Sequence, residues 1–131
     1  MVITPLYLAL VSLLFIGLTA KVILGRRGHG VSLGDGEHKS LRKAIRAHGN
    51  CAEYAPFSLL LMVSLESQGG AAWQLHLLGS LLLVGRAVHA YGLTRPHEVN
   101  SMRIVGMVMT LMSIIAGSVM NLAALRWGHL F

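Results

Sequence analysis

Apolar positions along this chain fall into four long blocks separated by polar breaks. The first covers residues 4–24, with Pro5 in its opening turn, where a missing N–H costs nothing. Roughly 21 apolar residues suit a membrane span and are too many for a signal-peptide core, so the pattern predicts a retained helix over residues 4–25. The second block has a polar, helix-forming lead-in from Lys39 and an apolar body over residues 54–65, which predicts a helix over 39–67. The third and fourth predict helices over 71–94 and 100–127. Residues 25–38 carry five glycines and read as a flexible loop, residues 67–70 (Ser-Gln-Gly-Gly) as a tight turn, and residues 94–97, with Pro96, as a short turn. Short connections make antiparallel neighbours, so the expected fold is a single-domain, all-α, up-down four-helix bundle.

Composition moves that bundle into a bilayer. Of 131 residues, 54% are hydrophobic and only 12% charged, against about 25% charged in soluble domains; a soluble chain of this length has nowhere to hide that much apolar surface. The net charge of +6 and seven His do not make a nucleic-acid surface, because the basic residues are not interleaved with aromatics on one face. They act as topology determinants instead. Arg26, Arg27, Lys39, Arg42, Lys43, Arg46, Arg95 and Arg103 lie in or near the first and third connections, whereas Arg126 stands alone at the other end. The positive-inside rule then puts those connections in the cytoplasm and both termini on the opposite side, with Tyr7, Trp73 and Trp127 as the opposite interfacial belt. The single cysteine, Cys51, excludes an intrachain disulfide and reads as a buried thiol.

One stretch departs from the apolar pattern. Arg46, Asn50, Glu53 and Tyr54 fall at i, i+4, i+7 and i+8 and so share one helix face, directly before the apolar body. Ionisable groups near hydrocarbon are expensive unless paired or useful, which makes this face the candidate functional site. Arg86 and His89 share a face of the third helix, and Arg103 heads the fourth. Several cations around one carboxylate, Glu53, suit a small anion that also carries an amine. Glutathione, with two carboxylates, one amine and a thiol, has that inventory. Each residue also has a plainer reading: Arg26 and its basic neighbours as headgroup contacts, Glu53 as an ion-pair partner across the bundle, Tyr54 as an interfacial anchor, His89 as a packing residue. Arg103 needs an anion, and a thiolate is one candidate, since a nearby cation lowers a thiol pKa. Pro56 kinks the second helix and withholds a donor from the Ala52 carbonyl. On the fourth helix Gly106, Thr110, Ser113, Gly117 and Asn121 form a stripe of small residues, suited to close packing inside the bundle or to an oligomer seam. No metal-ligand set, phosphate loop or serine elbow is visible.

The run Arg46-Ala-His-Gly-Asn50-Cys-Ala-Glu53-Tyr54-Ala-Pro56 resembles the signature of the membrane-associated proteins in eicosanoid and glutathione metabolism, the MAPEG family: an Arg, Asn four later, Glu three after that, Pro three beyond. Residues 22–27 (Val-Ile-Leu-Gly-Arg-Arg) are similar to the end of that family's first helix, and residues 85–92 (Gly-Arg-Ala-Val-His-Ala-Tyr-Gly) to its third. The resemblance implies a homotrimer in membrane lipid, with glutathione as co-substrate between neighbouring subunits on the cytoplasmic side. Arg26, Arg46, Asn50, Glu53, Tyr54, Arg86 and His89 would contact it, and Arg103 would stabilise its thiolate for attack on a lipophilic electrophile. Two positions depart from the family pattern and bear on the catalytic step: Arg103 lies about one residue from its expected distance to Arg86, and His89 stands where the leukotriene-synthase branch has Tyr, a pattern that resembles the bacterial branch and hence implies an inner membrane. Two other functions fit four spans. A small multidrug transporter needs a carboxylate deep in the first helix, which is absent here; a non-catalytic anion- or lipid-binding homologue would keep the binding face without the chemistry.

Overall fold

The computed structural model describes residues 2–95 and 100–125. Four helices follow one another: α1 (Ile3–His29), α2 (Lys39–Ser67), α3 (Ala72–Thr94) and α4 (Asn100–Ala124). The expected all-α bundle is the fold. Within it α2 and α3 pack together, α1 lies against both on one side, and α4 lies against both on the other, so α1 and α4 do not touch. Three helices, α1, α3 and α4, are long and apolar enough to cross a membrane, with mean hydropathies of 2.2, 1.3 and 1.8. The outer surfaces of α1 and α4 are apolar, with Leu13, Ile16, Ile104, Ile115 and Val119 all at least 60% exposed, as lipid-facing helices require.

The first connection is shorter than its glycines suggest. Helix α1 runs through Gly25 and Gly28 to His29 and stops at Gly30, which has φ 65°. There the Gly30 N–H bonds the Arg27 carbonyl at 3.3 Å and the Val31 N–H bonds the Arg26 carbonyl at 3.0 Å, the bond pair that closes a helix through a left-handed glycine. Gly25 has another use: Leu41 at the start of α2 lies against it, 3.1 Å from where a Cβ would sit. The same closure ends α2 at Gly69, φ 82°, which makes the turn into α3 as tight as expected. Helix α2 passes through Pro56 unbroken. Helix α4 ends at Ala124, short of the expected 127; Pro96, His97, Arg126 and Trp127 lie outside the described residues.

The core has two apolar clusters. One holds Val11, Leu18, Ala47, Cys51, Leu82 and Leu93; the other, toward the opposite membrane face, holds Tyr7, Met62, Leu65, Leu75 and Leu78. Tyr7 is therefore no belt residue. Its ring lies flat against Gly79, where any Cβ would collide with it at 2.3 Å, and its hydroxyl meets His76 Nδ1 at 3.0 Å and Ser80 Oγ at 3.1 Å. Trp73, 63% exposed, keeps the belt reading. At the same end the Glu66 carboxylate accepts from the backbone N–H groups of Val2, Ile3 and Thr4, satisfying donors that open every helix and placing a negative charge at the positive end of α1.

The small-residue stripe of α4 packs inward. Gly106, Thr110, Ser113 and Gly117 are all buried, and a methyl on Gly106 would come within 2.5 Å of the Gly85 carbonyl oxygen and the His89 amide nitrogen. Ser113 donates to the Leu78 carbonyl at 2.9 Å and meets Ser58 Oγ at 2.5 Å. Asn121 donates to the Leu61 carbonyl at 2.9 Å. Of the two uses open to this stripe, the structure shows packing within the bundle.

Gly106→Leu should force α4 off α3. Overpacking of this kind costs about 1–3 kcal/mol, so the variant should lose thermal stability in detergent while Ile115→Leu, on the lipid face, should not. Asp35 pairs with Arg42 in the first connection, and that guanidinium, with the Glu37 N–H, holds the Asp35 carboxyl below its ordinary value near 3.8. A carboxyl lowered in the folded state stabilises above its unfolded pKa and loses that contribution as pH falls through the folded value. Hydrogen exchange in residues 30–38 should therefore rise as pH drops below about 4, and Asp35→Asn should abolish that dependence.

Candidate functional site

Helix α2 turns one side into the core through Ala47, Cys51, Ala55, Ser58 and Met62. The spacing of Arg46, Asn50 and Glu53 therefore points them away from it. Arg46 and Glu53 are exposed, and Asn50 and Tyr54 half-buried. Asn50 Nδ2 donates to the Arg46 carbonyl at 2.9 Å. Among the described residues Glu53 meets no cation, so the ion-pair reading of Glu53 is not realised within one chain.

Depth sharpens this. The apolar body of α2 over residues 54–65 spans about 18 Å at 1.5 Å per residue, against a hydrocarbon core of about 30 Å. Counted from Leu65, Glu53 and Asn50 fall within that thickness and Arg46 at its edge. Helix α2 accordingly does not meet the apolarity of the other three spans.

Behind this face lies Arg86, one of the most deeply buried side chains, 1% exposed. Its Nε donates to Thr110 Oγ1 at 2.8 Å, and Thr110 in turn donates to the Gly106 carbonyl at 2.9 Å. The terminal nitrogens reach the Asn50 carbonyl at 3.4 Å, the Gly106 carbonyl at 3.5 Å and the Met107 sulfur at 3.8 Å, and the guanidinium carbon lies 5.8 Å from the Tyr54 ring centroid. One side chain of α3 thus holds α2 and α4 together. None of these partners is an anion, so the charge stays uncompensated, and the two longest carbonyl contacts sit at the limit of hydrogen bonding.

His89, one turn further along α3, is buried at 5% exposure. With Asn100, Arg103, Ile104, Met107 and Val108 it lines a cleft of about 370 Å³ between α3 and α4. Arg103 donates to Asn100 Oδ1 at 3.3 Å. Arg26 lies elsewhere: it ends α1, donates to the Ser32 carbonyl at 3.2 Å, and borders a separate hollow with Arg27 and Ile23.

The eight residues singled out in the sequence thus fall into three groups within one chain. Asn50, Tyr54 and Arg86 come together, with Arg46 and Glu53 on the same α2 face. His89 and Arg103 share the α3–α4 cleft. Arg26 stands on the α1 flank, and α1 and α4 flank opposite sides of the α2–α3 pair. Three residues of this region were not legible in the sequence. Thr110 and Met107 touch Arg86, but a threonine among small residues and a methionine in a span carry no such signal. Lys43, read as a headgroup contact, is buried and donates to the Arg95 carbonyl at 3.0 Å, where a cation suits the carbonyl end of α3.

Comparison with known proteins returns the same outline. The family model described as "MAPEG family" matches residues 4–123. The chain is 34% identical over 129 residues to the inner membrane protein YecN of Escherichia coli K12, covering 98% of this chain and 97% of that protein, and equally to its counterpart in E. coli O6:H1 strain CFT073. No solved structure matches. A match over nearly the whole length of a four-helix membrane bundle, including the Arg46–Pro56 run, assigns the chain to the MAPEG family.

Proposed function

We propose that this chain binds glutathione on the cytoplasmic side of an inner membrane and presents its thiolate to lipophilic electrophiles, as a membrane transferase or peroxidase. The observation that carries the reading is Arg86: a guanidinium buried against three helices, with neutral partners only. Removing such an ion from water costs several kcal/mol, and its hydrogen bonds to Thr110 and two carbonyls return part of that, at about 1.5–3 kcal/mol for each well-made bond. A bound carboxylate beside Asn50 and Tyr54 supplies the missing charge. Glu53, which meets no cation among the described residues, is matched to the ligand's ammonium group.

The ligand sits between copies of the chain. Arg26 and Arg103 stand on helices that do not touch, on opposite flanks of the α2–α3 pair, and the Arg46–Glu53 face looks outward at membrane depth, so a neighbouring copy would complete the site. A closed homotrimer meets both conditions. Arg103 lines the His89 cleft together with the apolar side chains of Ile104, Met107 and Val108, so a thiolate held there would meet substrate arriving from the bilayer. Attack by the glutathione sulfur forms a carbon–sulfur bond and expels the leaving group or opens the strained ring; the arginine holds the sulfur as its anion until then. The inner-membrane setting follows the relative named above, and the bias of Lys and Arg toward the first and third connections supports a cytoplasmic site.

Calorimetry on detergent-purified protein should show glutathione binding, weakened about 10- to 100-fold by Glu53→Gln or Arg46→Ala, the loss of one charge-assisted contact. Arg103→Ala should retain binding and lose the ultraviolet absorbance of the bound thiolate. Absence of binding in the unaltered protein ends the proposal; binding with no thiolate signal leaves an anion-binding homologue without the chemistry.

A further inference from the structure

Met107 belongs to both parts of the α3–α4 contact. Its sulfur accepts a hydrogen bond from Arg86 Nη2 at 3.8 Å, and its side chain lines the cleft that holds His89 and Arg103. Arg103 stands four residues earlier, on the same face of α4. Among the described residues this is the methionine whose sulfur meets a cation. Its exposure is also intermediate: Met62 is 0% and Met112 55% exposed, whereas Met107 is half-buried in the cleft wall.

The sulfur is a poor partner for the charge it touches. A thioether is a weak acceptor. Thr110 serves the Arg86 Nε well at 2.8 Å, but the terminal nitrogens have only the Asn50 and Gly106 carbonyls, at 3.4 and 3.5 Å, and this sulfur. A side chain 1% exposed gains little from water in their place. An oxygen carried on the Met107 sulfur is a far stronger acceptor, one bond length nearer the guanidinium. The methionine side chain is unbranched and flexible enough to set that oxygen at hydrogen-bond distance.

We propose that Met107 is a site of reversible oxidation: an organic hydroperoxide in the cleft converts its thioether to the sulfoxide, and the new oxygen takes the hydrogen bond of Arg86. The distal hydroperoxide oxygen bonds to sulfur as the O–O bond breaks. The hydroperoxide's proton passes to the proximal oxygen, which leaves as an alcohol. Sulfur gives up an electron pair, and the hydroperoxide is reduced by it. Methionine sulfoxide reductases reverse such a change. In the oxidised protein Arg86 is held toward α4, away from the Asn50 carbonyl and the Tyr54 ring, so a carboxylate there binds less well. This last consequence rests on the proposed function; the oxidation and the pairing with Arg86 do not.

Cumene hydroperoxide added to the detergent-purified full chain tests this, with peptide mass spectrometry locating the added oxygen. Met107 should gain one oxygen under conditions that oxidise Met112, while Met62 gains none. The change in melting temperature on treatment should be about 2–4 °C more positive in the unaltered protein than in Met107→Leu, the worth of one hydrogen bond. Sulfoxide reductase should remove that difference. In protein that binds glutathione, treatment should weaken binding about 3- to 10-fold, and should not do so in Met107→Leu. An unmodified Met107, or a melting difference that is zero or negative, overturns the proposal. So does an affinity for glutathione that treatment leaves unchanged. Protein that binds no glutathione before treatment overturns the proposed function instead, and the added oxygen and the melting difference still decide the role of Met107.

Discussion

A guanidinium in the middle of an apolar bundle imposes more on this protein than any apolar contact does. In lipid, helices gain little from burying leucine against leucine, since the surrounding tails are equally apolar; close backbone approach and hydrogen bonds decide how spans associate. Arg86 meets both conditions at one depth. It stands next to Gly85, where α3 and α4 come near enough that neither glycine tolerates a methyl group, and it reaches across that contact to Thr110 and the Gly106 carbonyl while also reaching the Asn50 carbonyl of α2. The relative heights of three helices are set by one side chain. Two turns further along, Ser113, Ser58 and the Leu78 carbonyl repeat the arrangement with neutral groups. A slip of one residue in any of the three helices would break both sets together.

The same constraint arranges the charges. Because α4 is drawn onto α3 by its small-residue stripe, Arg103 is delivered to the α3–α4 cleft beside His89. Because α2 turns Ala47, Cys51 and Ala55 inward, Arg46 and Glu53 must face out. The residues that the proposed ligand would need are thus divided between helices α1 and α4, which do not touch, and symmetry between copies would be the simplest way to reunite them.

The four blocks, the tight α2–α3 turn and the inward stripe of α4 were legible because period and residue size speak directly to packing in lipid. The Arg46–Glu53 face was legible as a face, since 3.6-residue spacing brings those positions together. Whether that face looks in or out was not, because polarity argues for burial against a partner and for exposure to water equally well. Tyr7 and Lys43 misled for one shared reason. Each type has a common surface role near a helix end, and only tertiary structure reveals the bare Gly79 that receives one ring and the α3 carbonyl that receives the other's ammonium. Gly25 and Gly30 differ in the same way. Both punctuate the sequence, but one gives Leu41 room and the other supplies the positive φ that ends the helix.

Helix α2 carries the argument one step further. Its apolar body accounts for little more than half the hydrocarbon thickness, and the turns that complete the crossing hold Asn50 and Glu53. A lone helix with that surface facing lipid would leave a carboxylate at membrane depth, at a cost of several kcal/mol. The inward side is already filled by the core, so no rearrangement of the protomer relieves it. Among the described residues Glu53 meets no cation, and on the proposed function its cover would bring positive charge or hydrogen-bond donors at Glu53 and negative charge within reach of Arg86. A lipid tail brings neither. On the proposed function, a second copy together with a zwitterionic peptide that carries extra carboxylates would bring both, which would tie assembly, ligand and membrane depth to the same few residues of α2.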